Sequence, residues 1–276
     1  MHDESSLGRA RDVTTLDVAL NVILRMGLLT SRCGAAAFRV RRTMQRAAHA
    51  LAIRNVEFTV TPDAIHATAQ HNGEFRSQMV RMGEYGVNMW RLRALDQYAR
   101  KLERSRTPFT VEAVEAQLQQ IEQEPLGYPR WLTVPVLAAS CAAFCGVTGA
   151  TGAQMLAAFF GTATGHLLRL KLLKRHLPVV TVVVCCSFLA CVAAYSAAKG
   201  LTYLGHLMGT GAVTPDRAVL ASVLYLVPGV PLVTSLLDIA HGDCASGLSR
   251  GAHAALVVVS IGAGVLMFFA TFGHGV

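Results

Sequence analysis

Residues 218–251 read AVLASVLYLVPGVPLVTSLLDIAHGDCASGLSRG. An apolar run from Ala218 to Leu237 is broken by Pro228-Gly229-Val230-Pro231, and a polar string from Asp238 to Gly251 follows directly. A helix facing lipid must satisfy its own backbone. Broken backbone at membrane depth is tolerated where neighbouring helices, ordered water or a bound solute can take over that duty. Such breaks concentrate at transport sites, so the chain reads as a component of a membrane transporter. Asp238 and Asp243 are the only acidic residues after Asp216, and they flank His241. Carboxylates beside a broken helix are natural proton carriers, because burial moves their titration toward the working pH. They are equally natural helix caps in a cytoplasmic loop, and spacing leaves both open. Arg250 can pair with one of them or with a substrate carboxylate. Helix N-termini near Pro228 to Pro231 can hold a carboxylate through free N–H groups.

Working outward, the charges divide the chain. Residues 131–276 hold seven Lys or Arg and three Asp or Glu, whereas residues 1–130 hold eighteen and fourteen. Each part carries half of the net charge of +8, so there is no basic tail. Arg39, Arg41, Arg42 and Arg46 have helical spacing and read as a solvated face rather than a nucleic-acid surface. None of the seven cysteines forms a CxxC pair, and five lie in apolar runs, so they read as packing residues. No metal or cofactor is expected. The N-terminus, MHDESSLGRARDVTTLD, is acidic in part and has no apolar core of a secretory signal.

The expected architecture is an α-helical integral membrane protein of about five transmembrane helices with an N-terminal cytoplasmic α+β domain. The domain covers residues 1–127 and the transmembrane region 128–276. Tyr128-Pro129-Arg130-Trp131 marks the boundary, with an aromatic suited to the interface. Spans are placed at about 131–149, 153–169, 178–198, 217–237 and 252–272, each near the roughly 20 residues that cross the hydrocarbon. Arg169, Lys171, Lys174 and Arg175 form the strongest juxtamembrane positive cluster, which places that loop and the N-terminus in the cytoplasm and the C-terminus outside. The loop 199–217 then faces outward. Gly152 and Gly165 bound a second span rich in small residues, suited to close helix approach or ordinary bundle packing. No internal repeat is evident, and a missing half of an inverted-repeat transporter can come from another subunit.

Within the N-terminal part, apolar residues recur at helical steps over 14–29 and 35–51, the second helix burying Phe38, Val40, Met44, Ala47 and Leu51. Residues 55–63 and 64–70 are β-branched and alternating, separated by a Pro-Asp turn, and His71-Asn72-Gly73-Glu74 carries a hairpin dipeptide. Helices are expected over 88–104 and 111–123, the latter capped by Thr110.

The string VPGVPLVTSLLDIAHGDCASGLSRG resembles the signature of the threonine/serine exporter family, ThrE and its YjjP-type large subunits. The resemblance extends to Gly34-Ala35 with Arg39-Val40, to Val60-Thr61-Pro62, to Gly86-Val87-Asn88 and to Tyr128-Pro129-Arg130-Trp131, covering nearly the whole chain. It departs at Arg41, where a Glu commonly follows the Arg-Val pair, and at Met89-Trp90, where Leu-Asp is usual. The resemblance implies a multi-pass bacterial inner-membrane exporter of small polar metabolites driven by the proton motive force, threonine and serine first, with succinate, a C4-dicarboxylate, as the alternative. It also implies a YjjB-type small membrane subunit as partner. Pro228, Gly229, Pro231, Ser246, Gly247 and Arg250 are the expected transport-path residues, and Asp238 and Asp243 the proton-coupling pair.

Two other classes compete. Ser31, His49, His66, His71 and Asp63 supply residue types for a hydrolase, but no GxSxG elbow or HExxH helix supports one. No catalytic residue is therefore assigned. The N-terminal domain can instead sense a metabolite and gate the bundle.

Overall fold

The computed structural model describes residues 4–53, 55–71, 74–83, 86–105, 107, 109–125, 129–175, 177–207 and 213–273. In chain order the elements are α1 (Glu4–Arg32), α2 (Ala37–Ala50), β1 (Val56–Val60), β2 (Ala64–His71), β3 (Glu74–Arg81), α3 (Met89–Arg104) and α4 (Val111–Gln123). They continue as α5 (Thr133–Val147), α6 (Gly152–Leu172), α7 (Val179–Leu207), α8 (Asp216–Ser222), α9 (Gly229–Ala240) and α10 (Cys244–Phe272), with a 3-10 turn at Leu224–Leu226. Two compact units result: Met1–Gly127 with Val230–Ala252, and Tyr128–Gly229 with His253–Val276. The return of 230–252 to the first unit is not visible in hydropathy, because residues 230–237 continue the apolar run that begins at Ala218.

In the first unit β1, β2 and β3 form an antiparallel sheet in sequence order, with Val60 opposite Ile65 and His71 opposite Glu74. The first turn is closed by Thr61, whose N–H donates to Ala64 O (2.9 Å) and whose Oγ1 accepts from Ala64 N–H (3.1 Å). Asn72 and Gly73, expected to make the second turn, lie outside the described residues. Alternation buries Ile65, Ala67 and Ala69 on one face of β2 and leaves His66 exposed. That face shares a core with Leu20, Ile23 and Met26 of α1 and Val40 and Met44 of α2. At Gly27 of α1 an added Cβ would run into Met44 and come within 3.4 Å of Ile65 Cδ1, so only glycine lets the three elements meet there. Asn88 caps α3 by accepting from Arg91 N–H (3.0 Å), and Thr110 caps α4 by accepting from Ala113 N–H (3.3 Å).

The basic face of α2 differs from expectation. Arg39 and Arg42 are exposed, but Arg46 is buried and paired with Glu103 (2.8 Å) and Asp96 (3.6 Å) of α3. Arg41 pairs with Asp243. Acidic residues distant in sequence turn half of a nominally solvated face into an interior one.

In the second unit α6 starts with a capping box: Thr151 Oγ1 accepts from Gln154 N–H, and Gln154 Oε1 accepts from Thr151 N–H at 2.8 Å. Small residues then let α6 approach its neighbours. A Cβ at Gly161 would lie 2.8 Å from Ala190 O of α7 and 2.8 Å from Ser222 Cβ of α8, and one at Gly165 would lie 2.5 Å from Tyr225 Oη. Gly152 faces nothing within 4 Å, so only the Gly165 end of the expected small-residue stripe is an approach point. Val182, Cys186, Ala190, Val219, Leu226, Val257, Ile261 and Phe268 make the largest apolar cluster of this unit.

By length and composition, Val179–His206 and Cys244–Phe272 are able to cross a membrane, and the interrupted pair Asp216–Leu226 with Gly229–Ala240 makes a third if counted as one span. Of the other expected spans, α5 is apolar but only 15 residues long. In α6 the apolar character is diluted by Gln154, Thr162, Thr164 and His166. Residues 208–212 of the loop 199–217 lie outside the described residues.

Candidate functional site

The polar string folds as helix, turn, helix. Gly242 takes a positive φ of 84°, its N–H bonds to Ile239 O (3.0 Å), and Asp243 N–H bonds to Asp238 O (2.8 Å). These two bonds are the paired closure of a helix C-terminus that glycine permits, and they end α9 so that α10 begins at Cys244.

This turn carries Asp238 into the interior of the first unit, where it is completely buried. Its Oδ1 accepts from Ala37 N–H at 2.6 Å. Ala37 is the first residue of α2, and the N-cap position, Ala36, has no side chain able to cap. Asp238 therefore performs from another segment the capping that Ala35-Ala36-Ala37 lacks, and its charge meets the positive end of the helix. Arg250, one helix later, places Nε 3.6 Å from Asp238 Oδ2 and donates from Nη1 to Ala35 O at 2.7 Å. Acid and base together clamp the backbone that enters α2.

Around this pair the rest of the string finds partners. Asp243 pairs with Arg41. Ser246 Oγ donates to Val60 O at 3.1 Å, at the end of β1. The His241 ring stacks on Phe38, with centroids 4.0 Å apart. Ser235 Oγ donates to Gly247 O (2.7 Å), and a Cβ on Gly247 would lie 2.9 Å from Ser235 O and 3.0 Å from Ile239 N. Gly247 is thus the point at which α10 touches the backbone of α9.

The structure brings together Asp238, Asp243, Ser246, Gly247 and Arg250. Pro231 stands in the first turn of α9, where a missing N–H costs no helical bond. Pro228 and Gly229 belong to the second unit, and Gly229 has nothing within 4 Å of an added Cβ. Ala35, Ala37, Phe38, Arg41, Val60 and Ser235 complete the cluster and were not singled out as site residues. The available signal was an uncapped alanine run at a helix start, which requires an acceptor from elsewhere.

Chemically, the cluster is a buried charge balance. Burial penalises the Asp238 carboxylate, while Arg250 and the Ala37 N–H favour it. Oδ2 accepts no hydrogen bond among the described residues and faces Arg250 Nε at 3.6 Å. A proton there would weaken the hold on Arg250 and on the start of α2 together.

The residue types of a hydrolase do not assemble. Ser31 is buried with no partner for Oγ among the described residues, while His49, His66 and Asp63 are exposed, and the His71 side chain lies outside the described residues. Among the described residues no group of three or more His, Cys, Asp or Glu is placed to hold a metal. All seven cysteines are free, and five are buried.

Residues 21–272 match the family described as "Putative threonine/serine exporter" (ThrE). The chain is 30% identical over 251 residues to "Probable succinate transporter subunit YjjP" of Escherichia coli, covering 91% of this chain and 93% of that one. It is 29% identical over 243 residues to the protein of the same name from Klebsiella aerogenes, covering 87% and 88%. An uncharacterised Haemophilus influenzae protein is 24% identical over 285 residues, covering 90% and 91%. No solved structure gives a significant match.

Proposed function

Because this chain belongs to the threonine/serine exporter family, we propose that it is the larger subunit of a two-part secondary exporter that moves a small carboxylate-bearing metabolite outward, driven by the proton motive force. The observation that carries this is the near end-to-end match to two proteins named as subunits of a succinate transporter. Succinate is accordingly the first substrate to try. Threonine and serine form the second reading, favoured by the family's own description.

In this proposal the protein sits in the bacterial inner membrane with five spans, its N-terminus in the cytoplasm and its C-terminus outside, beside a YjjB-type small subunit. Solute docks at the break around Pro228, Gly229 and Pro231 and passes Ser246, Gly247 and Arg250. Asp238 and Asp243 couple the movement to protons, since their charges are balanced by Arg250 and Arg41 and each proton taken up frees a cation. The N-terminal domain reads that event directly, because Ala37 and Val60 bond to the same string.

The test is efflux of labelled succinate, threonine and serine from preloaded cells expressing this chain with and without the small subunit, before and after an uncoupler. Efflux of one of the three that needs both proteins and stops on uncoupling is the expected result. Efflux of none of them, with both proteins in the membrane, rejects the substrate class.

A further inference from the structure

The second unit contains a buried polar pair that this scheme leaves unused. His166 of α6 is 5% exposed, its Nε2 lies 3.4 Å from Thr133 Oγ1 of α5, and its Nδ1 has no hydrogen-bond partner among the described residues. The Tyr225 ring meets it edge-on, with centroids 5.6 Å apart and planes at 86°. Tyr225 Oη is likewise buried and without a hydrogen-bond partner among the described residues. Buried polar atoms in folded proteins are nearly always bonded, so two orphans on adjoining rings mark a place with a purpose other than packing. Gly165 keeps it open, since a Cβ there would come within 2.5 Å of Tyr225 Oη and 2.8 Å of Ala190 Cβ.

Composition narrows what this place can do. Asp216, exposed at the start of α8, is the sole carboxylate of the second unit. Its other described histidines, His206 and His253, are exposed. The titratable and charged groups facing the pair are Arg169 from α6, Cys141 from α5, and Cys186 and Cys191 from α7. Of these buried groups only the imidazole ordinarily changes charge near neutral pH. An ionisable group inside an apolar bundle is a functional candidate on physical grounds alone.

We propose that His166 is a proton-binding station of the membrane unit, with Nε2–H held by Thr133 and the proton taken up and released at Nδ1. This rests on the proton-driven reading above and adds to it a carrier within the second unit, which Asp238 and Asp243 do not occupy. Tyr225 lies three residues before Pro228, so a charge appearing on the imidazole acts on the segment that enters the break.

The experiment uses this chain together with the small subunit and labelled succinate as probe. In the unsubstituted protein, net efflux that survives uncoupling would overturn the proton-driven reading and this station with it, before any substitution is made. If efflux does require the gradient, His166→Gln at a normal membrane level is expected to lose gradient-driven efflux by about tenfold or more while keeping solute exchange within about twofold, as removal of a proton relay should. Gradient-driven efflux unchanged in His166→Gln would overturn the station alone. A second measurement does not depend on that variant folding. Nitrogen NMR of the ring in the detergent-purified native protein, assigned by removing the other histidines in turn, should show Nδ1 of His166 titrating between about pH 5 and 8. A ring fixed in one protonation state across that range would overturn the station.

Discussion

Asp238 serves two elements of the first unit, because one buried carboxylate meets a helix start and a cation at once. Asp238→Ala leaves Arg250, itself only 14% exposed at the side chain, without its counter-charge. Losing one member of a buried pair costs about 3–5 kcal/mol, which a denaturation series on the detergent-purified protein will register. Asp238→Asn removes the same charge but keeps an oxygen for the Ala37 N–H, so it is expected to cost less by about the 1 kcal/mol of a lost helix cap. Equal losses in the two variants would mean that the charge, rather than the cap, is what matters. Cysteine chemistry offers an independent check of burial. Cys33 is 3% exposed and burial pushes its thiol up, so little thiolate exists at neutral pH, whereas Cys244 is exposed. Maleimide at pH 7 should label Cys244 and spare Cys33, with Cys33 labelling rising only at alkaline pH or on unfolding. Early labelling of Cys33 would contradict the packing of the α1–α2 turn.

Between elements, contact is set by missing side chains. Gly247→Ala places a methyl group 2.9 Å from Ser235 O and 3.0 Å from Ile239 N, atoms of helix backbone that cannot step aside. Overpacking of this kind costs about 1–3 kcal/mol, so Gly247→Ala is expected to lower the melting temperature. Gly229→Ala, with nothing within 4 Å, should leave it nearly unchanged. A Gly229→Ala loss as large as that of Gly247→Ala would show that the close approach is not what glycine provides. The same distinction explains what was legible in the sequence. Periodicity and turn chemistry are local, and they marked the helices that became α2, α3 and α4, the strands β1 and β2, and the Thr110 cap. The site was legible only as a string of residue types. Its partners, Ala37, Arg41 and Val60, stand about 200 residues away in the chain, and no local pattern encodes pairing over that distance. Arg46 illustrates the same limit. It shares helical spacing with Arg39 and Arg42, yet Glu103 and Asp96 make its environment an interior one.

At the scale of the whole molecule, the first unit is discontinuous, and its stability depends on a segment that runs from one expected membrane span to the next. Residues 1–127 expressed alone would lack the acceptor for Ala37 N–H, the donor to Ala35 O, the Ser246 bond to Val60 O and the counter-charge of Arg41. Hydrogen bonds involving charged groups contribute about 1.5–3 kcal/mol each, and a typical domain holds only about 5–15 kcal/mol in total. The fragment is therefore expected to keep its sheet and the α1–α2 core while its α2 start frays. Amide exchange at residues 35–40 should be fast in residues 1–127 and should slow when a peptide of residues 230–252 is supplied in mild detergent. The sheet amides of β2 serve as the internal reference, because their partners all lie within the fragment. Equal protection at residues 35–40 with and without the peptide would show that α2 needs no cap from Asp238. In that case a proton on Asp238 would have no element to release, and the N-terminal domain would lose its physical means of registering proton movement.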